Sequence, residues 1–461
     1  MTADHHQTIE QRAELGRSLR EQTPRSSHGE WSAASDRPDP VSLLEDQNNG
    51  RLDWLVPVRR WRMSASPFTC FRGSARIMAA DLASTPVSGL EVQLCGDAHL
   101  ANFGLYASPE RQLVFDINDF DETLAGPWEW DIKRLAASFI IAARHNDIDK
   151  KDGRKATERM VRTYRKAMSD FADMRTTDIW YAMIDEDEFH EAADEEGRKD
   201  EAKEITETAQ TRDSRHALDR LAEEVEDGFR IKSDPPGLVP LRELRGDLDL
   251  SGLELQALVN SAFETYQQSI PHHTKRLLDR FRLVDVALKV VGVGSVGTRC
   301  MILLLEGRDH NDPLFLQMKQ ANRSVLEEYL RPGSYSNHGQ RVVEGQRLMQ
   351  TVSDIFLGWN ENELTGHYFY WRQLRDWKGA VDVEDINADD LAYLARLCGW
   401  TLARTHARSG DPIAIAGYLG SSDSFDEALV EFAESYADLN DKDYEAFVQQ
   451  IRSGKLTATE G

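Results

Sequence analysis

The sequence predicts an α+β chain in two lobes, one mostly helical and the other built on antiparallel strands. Three observations point there. A strand–loop–strand–strand block at residues 91–117 ends in a run of carboxylates, mainly helical patterning fills about 127–280, and a second strand-rich block, 283–373, opens on closely spaced glycines. Apolar residues recur with a helical period in the first lobe and in short β-branched runs in the second. At 461 residues and 40% apolar, the chain can bury a core in each lobe.

Residues 1–50, polar and rich in Ser, Pro, Asp and Arg, read as a disordered leader. The helical lobe spans 51–280. Within it Glu91–Cys95, Phe103–Tyr106 and Leu113–Ile117 read as strands, and Ile132, Leu135, Ala136, Phe139 and Ile140 mark a helix after the Gly126-Pro127 turn. Its charged segment, about 184–227, reads as an exposed helical insertion laced with i,i+4 pairs. The β-rich lobe, 281–378, has expected strands at 284–291, 298–306, 313–319, 354–359 and 367–373, with a helix at about 338–352. From 379 to 461, C-terminal helices complete the helical lobe: one face carries Leu391, Leu394, Leu397 and Leu402, and two more helices are expected over 422–453.

The chain carries 79 Asp and Glu against 55 Lys and Arg, a formal charge of −24. That balance excludes nucleic acid or an anionic membrane surface as the main partner, because phosphate arrays require clustered cations. Four scattered cysteines without a C-x-x-C pair exclude a disulfide framework. With no secretory pattern at the N-terminus and no spanning apolar run, the expectation is a soluble cytoplasmic protein of open oligomeric state.

Four segments carry chemistry. In GDAHLANFG, Gly96–Gly104, Asp97 and Asn102 lie on a loop between strands. The carboxylate suits orienting or deprotonating a hydroxyl, and the amide oxygen suits ligating Mg²⁺; an Asx-turn is the competing structural role. In LVFDINDFDET an apolar strand delivers Asp116, Asp119, Asp121 and Glu122, a cluster that a hard cation would gather. In KVVGVGSVGTRC, Gly292, Gly294 and Gly297, with Ser295 between them, have G-x-G-x-x-G spacing. A Leu-rich run and a turn follow, rather than the long helix a dinucleotide fold needs, so the glycines read as a hairpin over nucleotide phosphates. Lys319 ends the next strand, placed to reach those phosphates, with Glu344 as preferred partner and Glu327 or Glu328 as alternatives.

These motifs, with GPWEWDIKRLAAS, QRVVEGQRLMQ, DIFLGW, WRQLRDWKG and THARSGD, resemble the bacterial family DUF2252, placed in the protein-kinase-like superfamily. The resemblance implies a two-lobe kinase-like fold in circularly permuted order, the catalytic half preceding the glycine-loop half. GDAHLAN is similar to the catalytic loop of aminoglycoside and choline kinases, with Cys95 where those carry His. It implies Asp119 as metal ligand, Asp116 as second choice, and Asp131 as a brace between helix and loop. Arg72, His99, His406 and Asp411 stand as either functional groups or polar braces.

The expected activity is an ATP- and Mg²⁺-dependent phosphotransferase acting on a hydroxyl. Its catalytic residues would be Asp97, Lys319 and Glu344, its nucleotide contacts Gly292, Gly294, Ser295, Gly297 and Lys319, and its metal ligands Asn102, Asp119 or Asp116. AMP transfer with the same parts and a non-catalytic nucleotide-binding module are the alternatives.

Overall fold

The computed structural model describes residues 7–226, 228–244, 252–362, 365–374, 377–379 and 382–461. The strands are β1 Glu91–Leu94, β2 Phe103–Ala107, β3 Leu113–Ile117, β4 Leu124–Pro127, β5 Ile184–Asp185, β6 Ala222–Val225 and β7 Gly228–Ile231. They continue as β8 Leu238–Pro240, β9 Arg282–Lys289, β10 Cys300–Glu306, β11 Pro313–Ala321, β12 Gly358–Asn362 and β13 His367–Gln373. The main sheet has the order β12-β13-β11-β10-β9-β8, and smaller ladders join β1 to β4, β2-β3-β5, and β6 to β7. Among the described residues every ladder is antiparallel. Helices beside antiparallel sheets make the chain α+β, as the sequence predicts.

The apolar run Cys300–Glu306 is continuous because the main sheet is covered on both faces. Met301, Leu303 and Leu305 join Leu316, Met318, Phe369 and Trp371 on one side. Ile302 and Leu304 join Ala287 and Phe315 on the other. Alternation of side chains along a strand forces that partition. The first face is closed by the helix Gly252–Tyr266, whose Tyr266 ring stacks on Trp371 at 4.5 Å. The second is closed by Leu218 and Leu221 of the helix Ser214–Leu221, and by Ile231 of β7.

That second face corrects two expectations. The segment 184–227 is not a solvated appendage; its helix Lys199–Gln210 buries Ala202, Thr206 and Ala209, and its C-terminal part is a layer of the sheet's core. The β-rich region also starts before 281, since β8 extends the sheet edge beside β9. Charge density hid the first, because a few Ala, Leu and Ile residues suffice for one narrow buried stripe, and the prolines around Leu238–Pro240 hid the second.

The helical part centres on Trp128–His145, buried along nearly its whole length. Ala388–Ser409 packs on Lys150–Asp173, and Ser424–Arg452 packs on the central helix. The tail expected as two helices over 422–453 is thus one long helix, preceded by Pro412–Leu419. The strand expected at 354–359 lies at 358–362.

The leader is also corrected. Its first six residues lie outside the described residues, but from Thr8 onward it is folded on the helical part. Thr8 and Gln11 form a capping box for the helix Ile9–Gln22. Gly16 and Gly417 allow that helix to cross Pro412–Leu419 closely: a Cβ on Gly16 would lie 2.0 Å from the Ala414 carbonyl oxygen. Arg12 holds Asp411 bidentately at 2.7 and 2.6 Å, and Arg37 bridges Asp81 and Asp443, each at 2.6 Å. Glycine contacts, arginine forks and a small apolar cluster at Val41, Leu43 and Leu44 fasten this segment without a wide apolar face, so its composition resembles that of a disordered chain.

Candidate functional site

β11 carries Lys319 across the sheet so that its ammonium, 3% exposed, enters the loop after β3. There Nζ lies 3.4 Å from Asp119 Oδ2 and pairs with Asp121. The Tyr370 hydroxyl, from the neighbouring β13, donates to Asp121 Oδ1 at 2.7 Å. Burial alone would lower the Lys319 pKa, but Asp119 and Asp121 outweigh it and keep the ammonium charged. Asp119 is likewise held below the usual carboxylate range: burial pushes it up, and Lys319, Arg372 and Lys378 more than reverse that. Asp121 moves up, through burial and then repulsion by Asp119.

The loop between β1 and β2 supplies Asp97 and Asn102. Gly96 has φ 83°, and a Cβ there would meet the Glu122 carbonyl oxygen at 2.4 Å, so only glycine lets the two loops touch. Asp131, in the first turn of Trp128–His145, accepts from the Cys95 and Gly96 amides at 2.7 and 3.0 Å. It is the brace the resemblance implies. His406 stands behind it at 3.4 Å and bonds the Tyr164 hydroxyl, while Asp411 caps Pro412–Leu419; both are structural. The amide nitrogen of Asn102 donates to the Asp97 carbonyl at 2.9 Å, which leaves its amide oxygen as the acceptor for a ligand. Arg134 Nε donates to Asp97 Oδ1 at 2.5 Å, and its guanidinium is fixed by the Phe71 carbonyl. Burial raises Asp97 and Arg134 opposes the rise.

The glycines lie on the turn between β9 and β10, folded down over these loops. Gly292 and Gly297 have φ 62° and 88°. Arg62 donates to the Gly292 carbonyl at 2.9 Å, and Leu52 to the Gly297 carbonyl at 2.8 Å, so residues 51–62 hold the turn shut. Two adjoining cavities, about 1020 and 130 Å³, share Arg72, Asn102, Asp119, Gly292 and Ser295. Lys319 lines the larger; Asp97, His99 and Gly294 line the smaller. His99 is buried, burial and then Arg72 and Arg134 hold its pKa well below the ordinary value, and Nδ1 has no partner among the described residues.

Two expected residues lie elsewhere. Asp116 is fully buried behind the cleft, its oxygens taken by Arg404 Nη2 at 2.5 Å, the Ile117 amide at 2.8 Å and the Thr351 amide at 2.8 Å. It lines neither cavity, and its carboxylate is committed to these partners. Glu344 bonds Arg347 at 3.0 Å and does not reach Lys319. On the helix His338–Met349 the residue lining the larger cavity is Gln346, two positions on and about 200° around the axis. Glu327 and Glu328 pair with Arg323 and Arg76. Asp119 and Asp121 do the holding that a helix glutamate was expected to do. Gly297 has φ 88° and leaves little room for a side chain beside Arg51, shaping the turn without lining either cavity.

Arg134, Tyr370 and Arg341 carry no local sequence signal. Arg341 donates to the carbonyls of Thr123, Asp121 and Asn322 at 2.6, 2.8 and 2.9 Å and so fixes the acidic loop. Beside it Glu122 accepts from the Val325 amide at 2.8 Å, and burial, opposed by Arg341, lifts its pKa to about 7. A carboxyl raised from 4.5 stabilises the fold most below that value, and the contribution is lost as pH rises through about 7. Urea midpoints should therefore fall between pH 4.5 and 7 more steeply in wild type than in Glu122→Gln, whose amide keeps the Val325 bond. Parallel profiles would refute this.

Asn102 and Asp119 offer one amide and one carboxylate oxygen, hard donors suited to Mg²⁺. Among the described residues no group of three or more His, Cys, Asp or Glu is arranged to hold a metal. A cation here would need ligand oxygens to complete its shell. The donor set fits a metal that arrives with phosphates.

A mixed fold with a buried Lys–Asp centre under a glycine turn is thus the frame of the chain. Residues 51–450 match DUF2252, described as an uncharacterized protein conserved in bacteria, and the chain belongs to that family. No curated protein and no solved structure matches it. Among the described residues no helix is long and apolar enough to cross a membrane.

Proposed function

We propose that the protein is an ATP- and Mg²⁺-dependent phosphotransferase, on a two-lobe kinase-like fold whose halves are permuted, acting in the cytoplasm on a hydroxyl acceptor. One observation carries the reading: Lys319 and Asp119, 200 residues apart, meet beneath a glycine turn in a cavity that also holds Asn102. The antiparallel order of β9 to β13, with a helix between β11 and β12, and four free buried cysteines agree with it.

In this reading Lys319 grips the polyphosphate and the backbone amides of the glycine turn surround it. Asn102 and Asp119 would hold Mg²⁺, which would neutralise charge on the phosphate oxygens. Asp97 takes the proton of the acceptor hydroxyl as its oxygen bonds to the γ-phosphorus. The bond to the β–γ bridging oxygen breaks and ADP leaves with the electron pair. Burial makes Asp97 a better base, and Arg134 fixes the orientation of its carboxylate. A thermal shift with Mg·ATP, followed by incubation with γ- or α-labelled ATP and candidate acceptors, tests the proposal. Stabilisation with γ-label in the product supports it. An α-label would mean adenylyl transfer, and binding without transfer would mean a nucleotide-binding module.

A further inference from the structure

The chain bears an excess of acids, yet eight Lys and Arg line the larger cavity against two acids, Asp119 and Asp354. Asp354 is already engaged by the Phe356 and Gln373 amides. Two of the basic residues, Lys319 and Arg372, lie in or against the Lys–Asp centre. Five of the others come from four separate segments, Lys378 among them close enough to Asp119 to act on its charge. Arg212 and Arg220 come from the 199–221 helices, Arg111 from the β2–β3 turn, Lys289 from the end of β9, and Lys378 from the segment after β13.

This wall is built rather than a chance surface cluster. Arg111 stacks on the Trp377 ring at 4.2 Å, the Trp377 amide donates to the Arg212 carbonyl at 3.1 Å, and Arg212 Nη1 donates to the Lys378 carbonyl at 3.0 Å. Those contacts tie the 199–221 helices to the β2–β3 turn and fix where the cations stand. A cavity of about 1020 Å³ is at the upper end of small-ligand sites and has room for more than a polyphosphate.

We infer that this wall is the acceptor subsite, and that the acceptor is a small molecule bearing a phosphate or a comparable multiply charged anion. Resting on the phosphotransferase reading, it assigns the nucleotide to the Lys319 end and the acceptor's anionic group to Arg212, Arg220 and Arg111. Such cations bind an oxyanion through charge-assisted hydrogen bonds, and an enclosing cavity strengthens them. An acceptor anchored there can present a hydroxyl toward Asn102 and Asp119, which belong to both cavities.

Inorganic pyrophosphate is the probe, titrated calorimetrically into the full chain in EDTA, with Mg·ATP titrated separately. Arg212→Ser/Arg220→Ser should weaken pyrophosphate at least about tenfold while leaving Mg·ATP within about twofold. Lys319→Met should lose Mg·ATP and keep pyrophosphate. Should the double variant melt early, Arg111→Ser carries the same expectation. Unchanged pyrophosphate affinity in the wall variants would overturn the inference. So would parallel loss of Mg·ATP, since the wall would then be holding the nucleotide's own phosphates. Wild type that binds pyrophosphate but no Mg·ATP would instead remove the phosphotransferase reading and, with it, the acceptor role.

Discussion

Lys319→Met is expected to lower γ-phosphate transfer by at least about 10²–10³-fold, the usual loss when one preorganised charge is removed from a reacting phosphate or oxyanion. Methionine fills similar space without the ammonium, so sheet packing around β11 should persist. Stability should nevertheless fall by about 1–3 kcal/mol, because Asp119 and Asp121 then face one another without their cation. Both carboxylates are about a third exposed, so water relieves part of that repulsion. Mg²⁺ should restore some stability by taking the ammonium's place, making the urea midpoint metal-dependent in the variant. Transfer kinetics and urea unfolding with and without Mg²⁺ check both halves. Undiminished transfer would remove Lys319 from the mechanism.

Much of the fold was legible because its signals are local. β3 and β13 have the expected limits, and the helix 338–349 lies within its expected range, since alternation and capping act over a few residues. The juxtaposition of Asp119, Asn102, Lys319 and the glycine turn at one cavity was legible too, because the motifs were read as parts of a single site. The partner of Lys319 was not legible. Which position of the helix 338–349 faces the cavity depends on its phase, which the tertiary packing sets, and two residues turn about 200°; Glu344 therefore faces Arg347 while Asp119 and Asp121 take Lys319. The basic wall was hidden for a similar reason. Arg212 and Arg220 sit in a segment dominated by acids, and only the fold turns them inward together with Arg111 and Lys378. Arg134 and Arg341 act through carbonyls and carboxylates distant in sequence, a relation that spacing does not encode.

Asp116 and Asp119 are three residues apart in one acidic run, one buried against Arg404 and the other lining the cleft beside Lys319, so under the proposed function their variants should separate cleanly. Asp116→Ala is expected to destabilise the protein by about 3–5 kcal/mol, because it leaves Arg404, with no exposed surface, beside no counter-charge. It also strips an acceptor from the Ile117 and Thr351 amides, loosening β3 from residue 351 and from the helix Ala388–Ser409. Folded Asp116→Ala at low temperature should still bind Mg·ATP near the wild-type affinity. Asp119→Ala should do the reverse, keeping most of the stability through the Asp121–Lys319 pair and losing Mg·ATP. A paired Asp116→Leu/Arg404→Leu replacement should cost less than the two single changes summed, because the penalty in each single variant is the stranded partner. Urea midpoints and Mg·ATP titrations on these variants decide the matter. Loss of metal-nucleotide binding with full stability in Asp116→Ala would transfer the metal role to Asp116 and undo the assignment made from its buried ion pair.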